Sequence, residues 1–364
     1  MEVPYFDLHR QYRVLKNDLE KKVLSSLRST QYSLGPEVEL FESNFSNFIG
    51  TNYCTAVNTG TSALHLALLA CGIGSGDEVI TVSMTFIATV MSISYTGAKP
   101  VFVDVFEDTQ LMDYRNIEKK INNRTKAIVV VHLYGQCAEM DSIKKIAKKY
   151  NLRIIEDSSQ AHGAKFNNFN AGSIGDIGTF SFYPGKNLGA SGEGGAITTN
   201  NKSFNKKIKN LRNWSQPKRY YHNEISYNYR MDTIQAATLN VKLKHIKKWT
   251  NNRRRIAKTY QSLIKNSKFS ITMENPNNYH VYHIYSLFYK KRNILNKYLN
   301  QNGVGTNFHY PVPAHLQKPY QKLGYKKNDL PITEKISKSQ LSIPIFPEMK
   351  KNEVEYVIKL LNNF

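Results

Sequence analysis

Ser181-Phe182-Tyr183-Pro184-Gly185-Lys186-Asn187-Leu188-Gly189, followed by Gly192-Glu193-Gly194-Gly195-Ala196, decides how this chain is read. A lysine on a tight glycine turn can keep one fixed, dry position, where its amine is more easily neutral and able to form an imine. Most lysines in so basic a chain are solvated surface charges. Pro-Gly before Lys186 and Gly-Glu-Gly-Gly after it set this one apart. Twenty-nine residues earlier stands Asp157, in Glu156-Asp157-Ser158-Ser159-Gln160-Ala161-His162-Gly163. It follows the apolar Ile154-Ile155, so it is expected at the carboxyl end of a strand, where open sheets place ligands. A lysine for an aldehyde carbon and a carboxylate for a pyridinium proton are what pyridoxal 5′-phosphate requires, and together they make its ring an electron sink. The competing reading of Asp157 is a cap on the turn that follows it.

Outward from this stretch, strand and helix patterns alternate. Strands are expected at 53–58, 78–82, 100–105, 127–133, 153–156, 178–182 and 196–199. Helices are expected at 8–28, 37–48, 61–70, 86–95, 140–150 and 203–212. This order predicts an α/β fold of three layers, a mostly parallel sheet covered on both faces. A polar stretch, Asn213 to Glu224, precedes a helical run from Thr233 to Thr250 that bridges to a second unit. The expected division is a large domain over 1–250 and a smaller α+β domain over 251–364, with a strand at 282–289 and helices at 292–301 and 354–361.

Gly60-Thr61-Ser62 joins a strand to a helix start, where free amides, the positive dipole end and two hydroxyls favour an anion. The plainer alternative is an N-cap supplied by Thr61 or Ser62. Fifty basic against 28 acidic residues give a net charge of +22. The basic residues are dispersed at helical spacing and no nucleic-acid module accompanies them, so a nucleic-acid partner is not expected. A positive field would help to attract an anionic nucleotide sugar. Cys54, Cys71 and Cys137 form no CxxC pair, which argues against zinc and a disulfide framework and fits a reducing cytoplasm. Cys71 is expected to be buried. The apolar run from Val79 to Tyr95 is broken by Thr and Ser, which makes it a buried strand plus helix and not a membrane span.

With these residues go Val3-Pro4-Tyr5-Phe6-Asp7-Leu8, Leu34-Gly35-Pro36-Glu37-Val38, Asn58-Thr59-Gly60-Thr61-Ser62-Ala63-Leu64, Asn228-Tyr229-Arg230-Met231-Asp232 and Phe308-His309-Tyr310-Pro311. In this order and spacing the chain resembles the sugar aminotransferases of the DegT/DnrJ/EryC1/StrS family nearly end to end. The resemblance implies the aspartate-aminotransferase fold (fold type I) and a cofactor that cycles between pyridoxal and pyridoxamine phosphate. It implies Lys186 as the catalytic lysine, and Gly60, Thr61, Ser62 and Ser181 at the phosphate. It puts Asp157 at the ring nitrogen, Gln160 at the ring hydroxyl and Phe86 stacked on the ring, where composition alone favours a core phenylalanine. It also implies a homodimer in which Asn228 reaches the phosphate of the neighbouring subunit.

At the substrate end the resemblance places His309 and Tyr310 near the sugar. Arg212, Lys218, Arg219 and His222 flank the 213–224 stretch, a floor for a diphosphate or a donor carboxylate. His309 and His315 are close in sequence, but no Cys, Asp or Glu stands near them, so no metal is expected. His162, a lone loop histidine, is read as a packing residue. Relatives acting at C-4 often carry histidine in the place of Tyr183, whereas Ser-Phe-Tyr-Pro-Gly-Lys-Asn-Leu-Gly-Ala looks like a C-3 enzyme. The expected substrates are L-glutamate and a dTDP-linked 3-keto-6-deoxyhexose, on the way to amino sugars of surface glycans. The rivals are transfer at C-4 or C-2, a sugar dehydratase, which in this family replaces the lysine with histidine, and a cofactor-binding regulator without turnover.

Overall fold

The computed structural model describes residues 1–364. Helix α1 (Leu8–Ser29) starts at Asp7, whose carboxylate accepts from the amides of His9 and Arg10. Helix α2 (Pro36–Ile49) starts on a proline, where the missing N–H has no helical partner to lose. Then come β1 (Tyr53–Val57), α3 (Gly60–Ala70), β2 (Glu78–Val82), α4 (Ile87–Tyr95), β3 (Lys99–Val103), β4 (Thr125–Val131), α5 (Met140–Lys149) and β5 (Arg153–Asp157). A short hairpin, β6 (Lys165–Phe166) and β7 (Phe169–Asn170), precedes β8 (Ile177–Ser181), β9 (Gly195–Thr199) and α6 (Lys202–Arg212).

The central sheet has the order β1-β9-β8-β5-β4-β2-β3. Strands β8, β5, β4, β2 and β3 are parallel, while β9 pairs antiparallel with both β8 and β1. Successive side chains enter opposite cores. Ile80, Val82, Ile128, Val130 and Ile154 pack with Met140 and Ile143 of α5 on one face. Val79, Ala127, Val129 and Ile155 pack with Leu64 of α3 and Ile208 and Leu211 of α6 on the other. A strand buried on both faces needs an unbroken apolar run, which is why 127–131 reads Ala-Ile-Val-Val-Val. The expected three-layer α/β architecture is present.

The helical run over 233–250 is two helices, α7 (Thr233–Leu243) and α8 (Ile246–Leu263), parted at Lys244-His245 without Gly or Pro. Trp249 of α8 packs with Leu15, Leu19 and Val241. Further along, Ile256, Ala257 and Tyr260 enter a second core with Leu287, Leu341 and Val357. That core is built on β10 (Ser270–Ile271), β12 (Tyr285–Phe288) and β13 (Gln340–Ile343), with β12 central and antiparallel to both neighbours. Strand β11 (Asn278–Tyr279) pairs instead with β6. The helices α9 (Arg292–Gln301), α10 (Pro331–Ser339) and α11 (Lys351–Asn363) complete the chain. The strand expected from 282 begins three residues later, because Tyr282 takes a left-handed φ of 45° that no strand accommodates.

Two expectations need correction here. Cys71 is partly exposed just beyond α3, while Cys54 and Cys137 are buried. Arg212 belongs to no substrate floor: it is 7% exposed, and its Nη1 donates to Glu42 Oε1 at 2.5 Å and to the Ala56 carbonyl at 2.8 Å. Glu42 accepts in turn from the Ala56 amide at 2.9 Å, so the pair clamps α6 and α2 to β1. Removing Arg212 leaves buried Glu42 only the longer ion-pair contact to half-exposed Lys209, at 3.6 Å, so Arg212→Met is expected to cost about 3 kcal/mol in urea unfolding, the low end for a broken buried pair. A loss below about 1 kcal/mol would place the pair in solvent.

Candidate active site

Lys186 lies in the loop from β8 to β9. Its amide donates to the Tyr183 carbonyl at 2.8 Å, and the Ala190 amide donates to the Phe182 carbonyl at 2.8 Å, so residues 183–189 are folded back on themselves. The glycine this requires is Gly189, where a Cβ would stand 2.3 Å from the Pro184 carbonyl oxygen. A Cβ on Gly185 would meet only the Tyr183 ring, at 3.6 Å. From α7, Lys242 Nζ donates to the Gly189 carbonyl at 2.8 Å and pins the loop from below. Burial pushes the Lys186 amine down to about 8, with nearby Asp157 acting against the shift.

Asp157 ends β5 and is 6% exposed. Its Oδ2 accepts from Thr89 Oγ1 at 2.7 Å and its Oδ1 from the Ser159 amide at 3.2 Å. The turn-cap reading is thus partly right, yet each oxygen keeps a lone pair for a further donor. Gln160 Oε1 accepts from the Tyr134 amide at 2.7 Å, and its Nε2 donates to the Tyr310 hydroxyl at 2.9 Å, leaving one N–H for a ligand. Phe86 is not a core residue: it is 53% exposed, with its ring 5.9 Å from that of Tyr310.

The anion cradle forms where α3 meets β8. A Cβ on Gly60 would stand 2.5 Å from Ser181 Cβ, so only glycine lets Ser181 approach the helix start. The N-cap is Thr59, not Thr61 or Ser62: its Oγ1 accepts from the Ser62 amide at 2.9 Å. Ser62 Oγ donates to Asn58 at 2.6 Å, which engages its proton within the chain. The Gly60 and Thr61 amides, with the dipole end of α3, remain to meet an anion.

Three neutral imidazoles surround Lys186. Burial, then the lysine charge, lowers His162 to about 3 and His309 to about 4, and the same two causes drive His283 well below its ordinary value. His309 Nδ1 is 2.7 Å from Ser342 Oγ, and its ring stacks on Tyr5. His162 packs between Phe180 and Phe182 with neither nitrogen bonded. His315 is elsewhere: it is buried, 2.7 Å from Ser83 Oγ and 3.4 Å from Glu334, so an acidic partner that sequence distance hides does exist. No grouping of three or more His, Cys, Asp or Glu side chains is placed to hold a metal.

Other expected site residues lie exposed at the surface. Tyr183 is 53% exposed at the start of the lysine loop. Arg219 stacks on exposed Tyr220, and Lys218 on Tyr221. Asn228 is exposed between Tyr227 and Tyr229, whose rings stack 4.9 Å apart. Its neighbour Tyr229 accepts from the Asn58 amide at 3.0 Å, beside the cradle. Lys242 and Asn187 were missed from sequence; their bonds join residues far apart in the chain.

The family model described as DegT/DnrJ/EryC1/StrS aminotransferase family matches residues 14–362, and the chain belongs to that family. It is 42% identical to the dTDP-3-amino-3,6-dideoxy-alpha-D-galactopyranose transaminase of Aneurinibacillus thermoaerophilus, covering 100% of this chain and 99% of that one. It is 41% identical to the pleiotropic regulatory protein of Geobacillus stearothermophilus, with the same coverage of 100% and 99%. Among solved structures, S. venezuelae DesV superposes with a TM-score of 0.97 at 37% identity, covering 100% and 98% of the two chains. Bacillus subtilis NtdA, solved with pyridoxamine phosphate, gives 0.93 at 29% identity, covering 100% and 85%. The chain is therefore a sugar aminotransferase of fold type I that uses pyridoxal 5′-phosphate. The lowered amine, the open oxygens of Asp157, the bare face of Phe86 and the Gly60–Ser181 cradle fit that group.

A Lys186 amine lowered to about 8 is protonated below that pH and neutral above it. Covalent capture of pyridoxal phosphate by cofactor-free protein is expected to speed up about tenfold per pH unit to near pH 8 and then level off. Because the Asp157 charge raises this amine, Asp157→Asn moves the bend to lower pH. A bend near the ordinary lysine value would mean a solvated amine.

Proposed function

We propose that this enzyme transfers an amino group from L-glutamate to C-3 of a dTDP-linked 3-keto-6-deoxyhexose, for 3-amino-3,6-dideoxy sugars of surface glycans such as O-antigen. The observation that carries this reading is Tyr183 in the lysine loop, together with the name of the Aneurinibacillus relative. The enzyme works in the cytoplasm as a homodimer with shared sites, its chain divided into domains at 1–250 and 251–364.

Bound pyridoxal phosphate supplies an electron sink for breaking the donor's Cα–H bond. Lys186 Nζ would hold the cofactor's aldehyde carbon and, as a free amine, would carry the proton taken from the donor carbon. An amine lowered to about 8 is fitted to both tasks near neutral pH. Asp157 holds the pyridinium proton and Gln160 offers its free N–H to the ring hydroxyl. Phe86, with its exposed face, would cover the ring. The Gly60 and Thr61 amides and the Ser181 hydroxyl would take the phosphate, with Ser62 bracing the turn through Asn58, joined by the partner subunit's Asn228. Tyr183, His309 and Tyr310 border the sugar, and Arg219, on its exposed arm, serves the diphosphate across the dimer. The Geobacillus relative's name favours a second reading, binding of the cofactor in a regulatory role. A cofactor spectrum unchanged by L-glutamate would be its signature.

Lys186→Ala is expected to remove the visible absorbance of the lysine-bound cofactor and to lower turnover at least 10²–10⁴-fold, roughly the range of a lost acid–base group. Wild-type turnover in that variant would overturn the assignment. Offered 3-keto and 4-keto dTDP sugars separately, with glutamate, the enzyme should aminate C-3, located by NMR. An amine at C-4, or at C-2 of a UDP sugar, overturns the regiochemistry alone. Mixing Lys186→Ala with Asn228→Ala should restore about a quarter of wild-type activity, since half the dimers are mixed and each holds one intact site. An active monomer in sedimentation excludes sharing.

A further inference from the structure

His283 has no role in the reading above, yet the lysine loop holds it. Asn187, next to Lys186 and 5% exposed, donates from Nδ2 to the Val281 carbonyl at 3.1 Å. That bond fixes the amide's orientation, so Oδ1 is the atom facing His283 Nδ1 at 3.2 Å. An amide oxygen there requires a donor, which puts the imidazole proton on Nδ1. A neutral ring protonated at Nδ1 must keep a lone pair on Nε2. The ring is only partly buried, so this end is not sealed in the core.

The backbone around His283 is equally constrained. Its amide donates to the Tyr134 carbonyl at 2.9 Å, just as the Val281 amide donates to Gly135 at 2.9 Å. A Cβ on Gly135 would lie 3.1 Å from both the His283 nitrogen and the Gln160 carbonyl oxygen, so Gly135 lets the two segments converge. His283 thus stands between the lysine loop and the segment carrying Gln160. Burial and the charge of Lys186 both disfavour its protonation, with further opposition from Arg253. It stays a lone-pair acceptor beside two donors, Lys186 and the free N–H of Gln160.

We propose that His283 is a fixed, neutral hydrogen-bond acceptor for a hydroxyl of the sugar, with Asn187 as the positioning residue that sets its tautomer. This rests on the nucleotide-sugar reading. The role is separable from amino-donor chemistry, because glutamate has no hydroxyl to offer.

The test measures the two half-reactions of the holoenzyme apart, by the change in cofactor absorbance. L-glutamate is the probe for one, and dTDP-3-amino-3,6-dideoxy-α-D-galactose, run in reverse, for the other. His283→Phe keeps the ring volume without an acceptor. It should raise the half-saturating amino-sugar concentration roughly ten- to a hundredfold, and leave the glutamate half within about twofold. His283→Gln, which restores an acceptor, should recover most of the loss, and thermal melting should show both variants folded. Equal losses in the two halves, or an unchanged sugar half in His283→Phe, would overturn the proposal. A wild-type enzyme that responds to glutamate but not to the amino sugar would instead overturn the proposed sugar substrate, and this proposal with it.

Discussion

A carboxylate and an amine, Asp157 and Lys186, are brought together away from bulk water, and much of the architecture serves to make that bearable. Burial of an anion is costly unless donors meet it. Thr89 and the Ser159 amide meet Asp157 from two different elements. Registry does the rest. Asp157 pairs with Thr179 across β5 and β8, so Ser181 emerges beside the same sheet edge and the chain beyond it turns over Asp157. The Gly60–Ser181 contact then sets the start of α3 against that edge. A side chain at position 60 would part α3 from β8 and pull the anion cradle away from the lysine.

The charge pair also sets the electrostatic tone of the cleft. With one amine free to ionise, protonation of neighbouring histidines is opposed. His162, His283 and His309 all titrate below their ordinary range, with burial the larger cause and Lys186 the next. The outcome is a site with one adjustable positive charge amid uncharged acceptors. Such a site can change its own protonation state without a neighbouring histidine taking the proton.

What sequence made legible was local. Lys186 and Asp157 announced themselves by adjoining turn and strand patterns, and the alternation of β and α segments gave the parallel sheet because each strand is short and apolar. Relations between distant residues left no mark. Lys242 and Gly189 lie 53 positions apart, and Lys242 reads as one more surface lysine until its ammonium is seen under the loop. Arg212 looked like a substrate group because its ion-pair partner, Glu42, stands 170 positions away. Of the glycines flanking the lysine, Gly185 has room for a Cβ, whereas at Gly189 and Gly195 a Cβ would stand 2.3 Å from a backbone oxygen. The break between α7 and α8 carries no Gly or Pro, and β10 is too short for a period-two pattern to show.

Strand β9 runs against its neighbours, and this has a topological effect on the lysine. Two parallel strands would need a crossover passing back along the sheet, usually through a helix. With β9 reversed, the connection leaves β8 and enters β9 at the same rim of the sheet, the rim where Asp157 ends. Residues 182–194 therefore form a handle fastened at both ends to adjacent strands, so the ends of the lysine segment are held by the sheet ladder itself and not by packing alone.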